Sequence, residues 1–432
     1  MPYDIIIGRD EADKKRFGKK GLAFIGKTYV TMGNSVSMSN NLFLDIARNH
    51  VILITGKRGA GKSYSISVIA EELSLLPEEE RNNLAGLMFD TLGVFWTMKY
   101  KNEKDSELLA QWGEKPKELP IIVSIPFGLA KEYEKNSIQF DNTFAVSPAE
   151  MDAEDWMLAF KLNITDQASL LIQKIISLLK KTSASFEITD IISEIKNDNA
   201  SSEEAKKLVL SLFQAAETWG IFSSKNSTPI KNLVTPGKTT ILDISRYSST
   251  SVFNVRALLI GLLSKKLFSE RMKLRKAEEV AEIKKDISYT KQNSKEMPII
   301  WLFIDEVHEF IPKGEKTSAS NILSQILREG RQPGISIVMA TQQPASLSPE
   351  AISQSDIVIS HRLTALSDMQ ALNEMMQSYN VESLKSQFDS LPHKKGSAII
   401  LDDNSERIYP AQIRPKFTWH GGESPSAVET DK

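Results

Sequence analysis

Two kinds of apolar pattern alternate along most of this chain. Val51-Ile52-Leu53-Ile54-Thr55 is a continuous, mostly β-branched run of the kind that fills a strand buried on both faces. Similar runs recur at Ala85 to Phe89, Ile121 to Ile125, Thr239 to Leu242, Ile299 to Ile304, Ile335 to Ala340, Ile357 to Ile359 and Ala398 to Leu401. Between several of them lie segments with helical spacing, beginning with Ser63 to Leu75, so the pattern predicts an α/β fold around a mostly parallel sheet. Ahead of the first long run, Tyr3 to Gly8, Gly21 to Ile25 and Tyr29 to Met32 predict a short β-rich region over residues 1–45, resembling a small sheet or partial barrel. From Asp152 to Trp219 the period is purely helical. Ala168, Leu171, Ile172, Ile175 and Leu179 share one face, followed by Ile188, Ile191, Ile192 and Ile195 and then by Leu208 to Phe213. An all-α insertion over residues 136–235 therefore divides the core into residues 46–135 and 236–415, with Thr165 and Thr189 as expected N-caps and Gly220 as the expected stop. A tail over 416–432 is poor in apolar residues after Trp419 and is expected to fray.

Length changes the picture little: 432 residues allow two or three lobes with a sizeable core. Cysteine usage excludes more. With no Cys, disulfides, thiolate-ligated zinc, iron–sulfur clusters and a cysteine nucleophile are all ruled out, and 5 His make a histidine-rich metal cage a poor expectation. The longest apolar runs fall well short of the ~18 residues of a membrane span, and Met1-Pro2-Tyr3-Asp4 does not open a signal peptide, so a cytoplasmic protein without a membrane role is expected. The net charge of −2 gives no global nucleic-acid footprint, although Ser264 to Glu296 carries ten basic residues against six acidic ones, the balance of a solvated helix face.

The chemistry begins after the first buried run. Gly56-Lys57-Arg58-Gly59-Ala60-Gly61-Lys62-Ser63 places two glycines four residues apart before Lys and Ser, between a strand and a helix. Backbone N–H groups can close around phosphate there only if no Cβ obstructs them. Lys62 then neutralises the β and γ phosphates of a nucleotide, and Ser63 offers its hydroxyl to Mg²⁺ at a helix N-terminus, with Tyr64 next in line at the nucleotide. A second strand, Pro298 to Ile304, ends in Asp305-Glu306, which suits a metal-shell carboxylate followed by a general base for the attacking water. Leu327 to Gly334 and Thr341-Gln342-Gln343-Pro344 bracket a third strand. The Thr-Gln pair at its tip can sense the γ-phosphate, while arginines before it can reach a neighbouring subunit's nucleotide.

This ensemble resembles the HerA branch of the HerA/FtsK ring ATPases. The resemblance rests on Arg48-Asn49-His50 before the phosphate loop, Ile304-Asp305-Glu306-Val307-His308-Glu309-Phe310-Ile311-Pro312, Arg328-Glu329-Gly330-Arg331, Ala340-Thr341-Gln342-Gln343-Pro344, Ile413-Arg414-Pro415 and His420-Gly421-Gly422-Glu423, over residues 40 to 425. It implies a RecA-like core that assembles as a hexamer, binds ATP between subunits and draws duplex DNA through a central channel, with a NurA-like nuclease as partner in DNA end processing. By position it implies Gly56, Gly59, Ala60, Gly61, Lys62 and Ser63 around phosphate, Asp305 and Glu306 as metal-shell and base carboxylates, and Gln342 as sensor. It implies Arg331, then Arg328, as the arginine acting in trans, Asp90 as an acid near the site, and Arg414 in a segment bracing a neighbouring nucleotide site. The family's usual Asp-Pro-His-Gly-Glu-Tyr is Asp90-Thr91-Leu92-Gly93-Val94-Phe95 here, so a second acid is missing from that loop. Lys99, Lys101, Lys104, Lys313 and Lys316 are candidate contacts to nucleic acid. A ring ATPase acting on a protein partner, in antiviral defence for instance, is the alternative, and a kinase or nucleotide switch a third reading.

Overall fold

A computed structural model describes residues 3–32, 35–247, 253–284, 297–375, 387–389 and 391–422. Its strands are β1 (Ile5–Ile7), β2 (Leu22–Met32), β3 (Ser35–Asp45), β4 (Val51–Thr55), β5 (Leu84–Asp90), β6 (Ile121–Pro126), β7 (Asn142–Phe144), β8 (Thr239–Asp243), β9 (Ile299–Ile304), β10 (Ile335–Thr341), β11 (Ile357–His361), β12 (Ser397–Asp402) and β13 (Arg407–Ile413). All thirteen join one sheet in the order β1-β3-β2-β13-β12-β11-β4-β10-β9-β5-β8-β6-β7. From β11 to β7 every pairing is parallel, while β12, β13 and β2 are joined antiparallel. The N-terminal strands enter this same sheet where β2 pairs with β13, Gly26 opposite Ile413. A Cβ on Gly26 would come within 2.1 Å of the Gln412 carbonyl oxygen, so only glycine permits that approach.

Alternation along the central strands divides the core between two faces. Leu53, Leu87, Phe89, Leu302, Ile304, Ile337 and Met339 point to one side and pack with the helical insertion. Ile52, Ile54, Met88, Trp301, Phe303, Val338 and Ala340 point to the other and pack with helix α1 (Lys62–Leu75). The insertion has three principal helices, α2 (Gln167–Thr182), α3 (Ile188–Asn197) and α4 (Glu203–Glu217). Their buried faces carry the apolar residues at the spacing the sequence shows, and Trp156, Phe160 and Phe213 interlock at ring separations of 4.8 to 5.6 Å. The caps are corrected: α2 starts from Asp166 rather than Thr165, and α3 from Glu187 rather than Thr189. Glu187 and Asp190 form a reciprocal capping box, which satisfies two N–H groups at once where a threonine would satisfy one. The charged stretch begins within helix α5 (Val255–Ile283); its continuation at 285–296 and Glu423 lie outside the described residues.

At the strand ends remote from the phosphate loop, His50 sits fully buried between Asp356 (2.6 Å) and Asp45 (3.4 Å), and Asp45 also pairs with Arg9. Burial opposes a charge on the imidazole, but the two carboxylates outweigh it and raise its pKa to about 9. The network ties the N-terminal strands to the start of β4 and to the turn before β11.

Candidate active site

The loop from Gly56 to Gly61 leaves the tip of β4 with φ of 153° at Gly56, 75° at Gly59 and 120° at Gly61, conformations that favour glycine. A Cβ on Gly56 would lie 2.7 Å from that of His361, the last residue of β11. Helix α1 then begins at Lys62 with no side chain capping it, so the N–H groups of its first turn face the loop as an anion cradle. Lys62 is buried, and Ser63 Oγ donates to Asp305 Oδ2 at 2.7 Å. His361 completes the floor. Its Nε2 faces Ser65 Oγ at 2.8 Å and its Nδ1 the Ser397 carbonyl at 3.0 Å, and burial lowers its pKa to about 4, so the ring is neutral.

Alternation along β9 sends Asp305 to the α1 side, where Ser63 waits. Burial raises the Asp305 pKa, against the opposing pull of the Ser63 hydroxyl, the Glu306 N–H and Lys62. Hydroxyl and carboxylate together are the hard oxygen pair that suits Mg²⁺ completed by water and phosphate, and among the described residues no cluster of three acids or histidines offers a rival metal site. Glu306 breaks the strand at φ 50°, ψ 45°, which turns its side chain away from the pleat. Burial first, and then the charge of Asp305, push its carboxyl up to about 7, the range of a base that works near neutrality. His308 stands 3.5 Å from Glu306 and 3.0 Å from Thr341 Oγ1; burial and Lys62 hold its pKa down.

The remaining expected residues divide. Thr341 pairs with Thr55, so Gln342 lies level with the start of the phosphate loop, half-buried, with its backbone N–H favouring the charged form of Glu306. Tyr64 follows Ser63 but turns outward; its hydroxyl accepts from the Lys416 N–H at 2.6 Å. Asp90 is level with Asp305 one strand over, yet its oxygens accept four N–H groups, from Gly93, Val94, Phe95 and Trp96. That carboxylate shapes its own loop. It is pushed up to about 7 by burial and by Asp243 on β8. Arg414 is buried within its own chain against the far side of α1, paired with Glu71 at 2.8 Å and Glu72 at 2.7 Å. Arg328 is held by Glu350 in its own chain, whereas Arg331 is exposed in the turn before β10, at the end of the sheet opposite the chain's own phosphate loop. The sequence reading passed over His308, His361, Asp243 and Arg256; only His308 lay inside a quoted motif.

Backbone amides, an ammonium group and a hydroxyl gathered beside a buried acid pair suit nucleoside triphosphates, and the fold and site place this chain among the P-loop ATPases. Within that class it belongs to the HerA family. The family model described as the central domain of helicase HerA matches residues 30–263, more than half of the chain, and a model of the AAA ATPases, described as associated with various cellular activities, matches 237–363. Among curated proteins, the chain is 34% identical over 156 residues to the probable helicase MJ1565 of Methanocaldococcus jannaschii, covering 35% of this chain and 29% of that one. It is 31% identical over 101 residues to the DNA double-strand break repair helicase HerA of Pyrococcus furiosus, covering 23% and 18%. The chain thus spans less than a third of each relative's length. Among solved structures, VirB4 of Thermoanaerobacter pseudethanolicus superposes with a TM-score of 0.57 at 9% identity, covering 92% of this chain and 97% of that one. The bacterial conjugative coupling protein TrwBdeltaN70 does so at 0.51 and 12%, covering 98% and 96%. These likenesses are likenesses of fold. Among the described residues no helix is long and apolar enough to cross a membrane.

Proposed function

We propose that this chain hydrolyses ATP as one subunit of a hexameric ring and uses the cycle to move duplex DNA. The observation that carries the ring is the position of Arg331. Seven residues of β10, about 3.3 Å each, separate it from the tip where Gln342 meets the phosphate loop, so roughly 20 Å of strand keep it from its own nucleotide. An exposed arginine there is out of reach of its own nucleotide, which supports a role at the nucleotide of a neighbour.

In this reading Gly56, Gly59, Ala60, Gly61 and Lys62 bind the phosphates, and Ser63 and Asp305 hold Mg²⁺. When bound, that ion supplies charge neutralisation between the outer phosphates. Glu306 accepts the proton of the attacking water, Gln342 orients the water against the γ-phosphate, and the neighbour's arginine offsets charge as the terminal phosphoryl group leaves. Duplex DNA as substrate is supported by the likeness to the Pyrococcus furiosus DNA double-strand break repair helicase HerA. A NurA-like nuclease is the partner class that fits such a motor.

Steady-state hydrolysis with and without linear duplex DNA tests the substrate. Stimulation that collapses as salt rises is the expected result, since contacts to phosphates release counterions. Robust hydrolysis indifferent to DNA at low salt would leave the ATPase standing and transfer the work to a protein partner.

A further inference from the structure

Beside the acid pair lies a buried cation that the nucleotide site does not use. Arg256, in the first turn of α5, is 9% exposed and sits among the loops that leave β5, β8 and β9 at their C-terminal ends. Its Nη2 donates to the Ser245 carbonyl at 3.0 Å, and its Nη1 stands 3.7 Å from Glu309 Oε2. Among the described residues its Nε meets no acceptor. Ser245 in turn is fixed by Asp243, which accepts from its N–H at 3.0 Å and its hydroxyl at 2.7 Å. Gly93 packs on the same serine so closely that a Cβ would come within 2.9 Å of its Oγ. The β5 and β8 loops therefore form one pinned unit, and Arg256 extends from it to the β9 turn.

That turn is the catalytic one. Glu309 closes a single 3₁₀ turn, Val307 to Glu309, whose first residue follows Glu306, and the Glu309 N–H donates to the Glu306 carbonyl at 2.9 Å. Glu306 is left-handed there, a conformation that persists only where neighbouring contacts enforce it. A buried guanidinium demands acceptors, and burial does hold the Arg256 pKa down, against the pull of Glu309, Asp90 and Asp243. A gap of 3.7 Å to Glu309 is long for a charged hydrogen bond and closes with a shift under 1 Å.

We propose that Arg256 is a positioning residue for hydrolysis, acting through Glu309 to hold the turn that carries Glu306. This rests on the reading of Glu306 as the base. A misplacement of about 1 Å at a reacting group can cost on the order of 100-fold in rate. Arg256→Ala is therefore expected to lower kcat about 10- to 100-fold with KM for ATP within about twofold. Glu309→Met, which keeps the side chain's length but has no oxygen acceptor, is expected to do the same, and the double variant to be no slower than the worse single one, because both remove one contact. An unchanged kcat in Arg256→Ala overturns the proposal, as do losses that multiply in the double variant or a rise in KM that accounts for the whole effect. If Arg256→Ala does not fold, Glu309→Met alone decides, since the side chain at 309 is 27% exposed and methionine keeps its length: kcat must fall with KM intact. Glu306→Gln run alongside separates the two claims. If it abolishes hydrolysis while Arg256→Ala does not slow it, only this inference fails; if Glu306→Gln hydrolyses normally, the reading beneath it fails as well.

Discussion

Glu306 is held in a left-handed conformation at φ 50°, which costs a residue with a Cβ about 1–3 kcal/mol, and it is held there beside a second buried carboxylate. Neither feature is needed to end a strand, and both suit the general base proposed for Glu306. Replacing it by Gln keeps the shape and removes the proton acceptor. We expect Glu306→Gln to lower kcat at least 100-fold while a fluorescent ATP analogue still binds with its normal Kd. Lys62→Ala should behave in the opposite way. Losing a charged contact to phosphate, on the order of 3 kcal/mol, should raise the Kd for the same analogue about 100-fold, measured by equilibrium titration. At this scale the sequence was legible where residues are local to a motif. The loop from Gly56 to Ser63 and the pair Asp305-Glu306 could be read because strand, turn and helix are adjacent in the chain. His361 and Arg256 could not, since each acquires its meaning from partners far away: Ser65 lies 296 positions from His361.

Helix α1 is gripped at both ends. Its N-terminus opens on the phosphate loop, and its later turns carry Glu71 and Glu72, buried carboxylates that Arg414 bridges from the segment after β13. Glu71 also accepts from the N–H groups of Phe417 and Thr418 and from the Thr418 hydroxyl, so the C-terminal segment is fastened to the helix that holds the nucleotide. Arg414→Met leaves two buried carboxylates without their cation. Removing one partner of such a pair costs about 3–5 kcal/mol, which urea denaturation should register as a lower midpoint. The arginine's place in the sequence gave no sign of this role, because only the folded chain brings positions 342 and 343 residues apart into contact. The helices of the insertion were legible by contrast. Their apolar period survives in isolation, and only their caps moved: to Asp166 for α2, and for α3 to Glu187, whose side chain finds a reciprocal partner three positions on.

At the scale of the molecule, one sheet, of thirteen strands among the described residues, joins the N-terminal region, the nucleotide core and the C-terminal hairpin. The central strands were readable from apolar runs, but β3, β7 and β13, which lack such runs, were not, and β2 read as two segments where it is one; nor was the order readable, since β5 pairs with β8 and β9 across the insertion and β2 pairs with β13 across nearly the whole chain. The His50 cluster fastens this long sheet at the strand ends remote from the phosphate loop. With a folded pKa of about 9 against an ordinary 6.5, the native state binds the extra proton, so the cluster's stabilisation is fully present below pH 6.5 and is lost as pH rises through 9. The shift corresponds to at most about 3 kcal/mol. Urea midpoints at pH 6 and pH 9.5 should differ in the wild type and draw together in His50→Gln; equal pH slopes would remove the cluster from the account.

The arrangement of Glu306 and Arg331 at opposite ends of the sheet makes the central claim a claim about composite sites. The most direct measurement is ATP hydrolysis by Glu306→Gln and Arg331→Ala, each alone and then mixed in equal amounts under conditions that allow subunits to exchange. Each variant alone should be nearly inactive, and the mixture should recover a substantial fraction of wild-type activity, because some interfaces then combine an intact glutamate with an intact neighbouring arginine. A mixture no more active than its parts, or an Arg331→Ala protein that hydrolyses ATP at the wild-type rate, would contradict a site completed in trans.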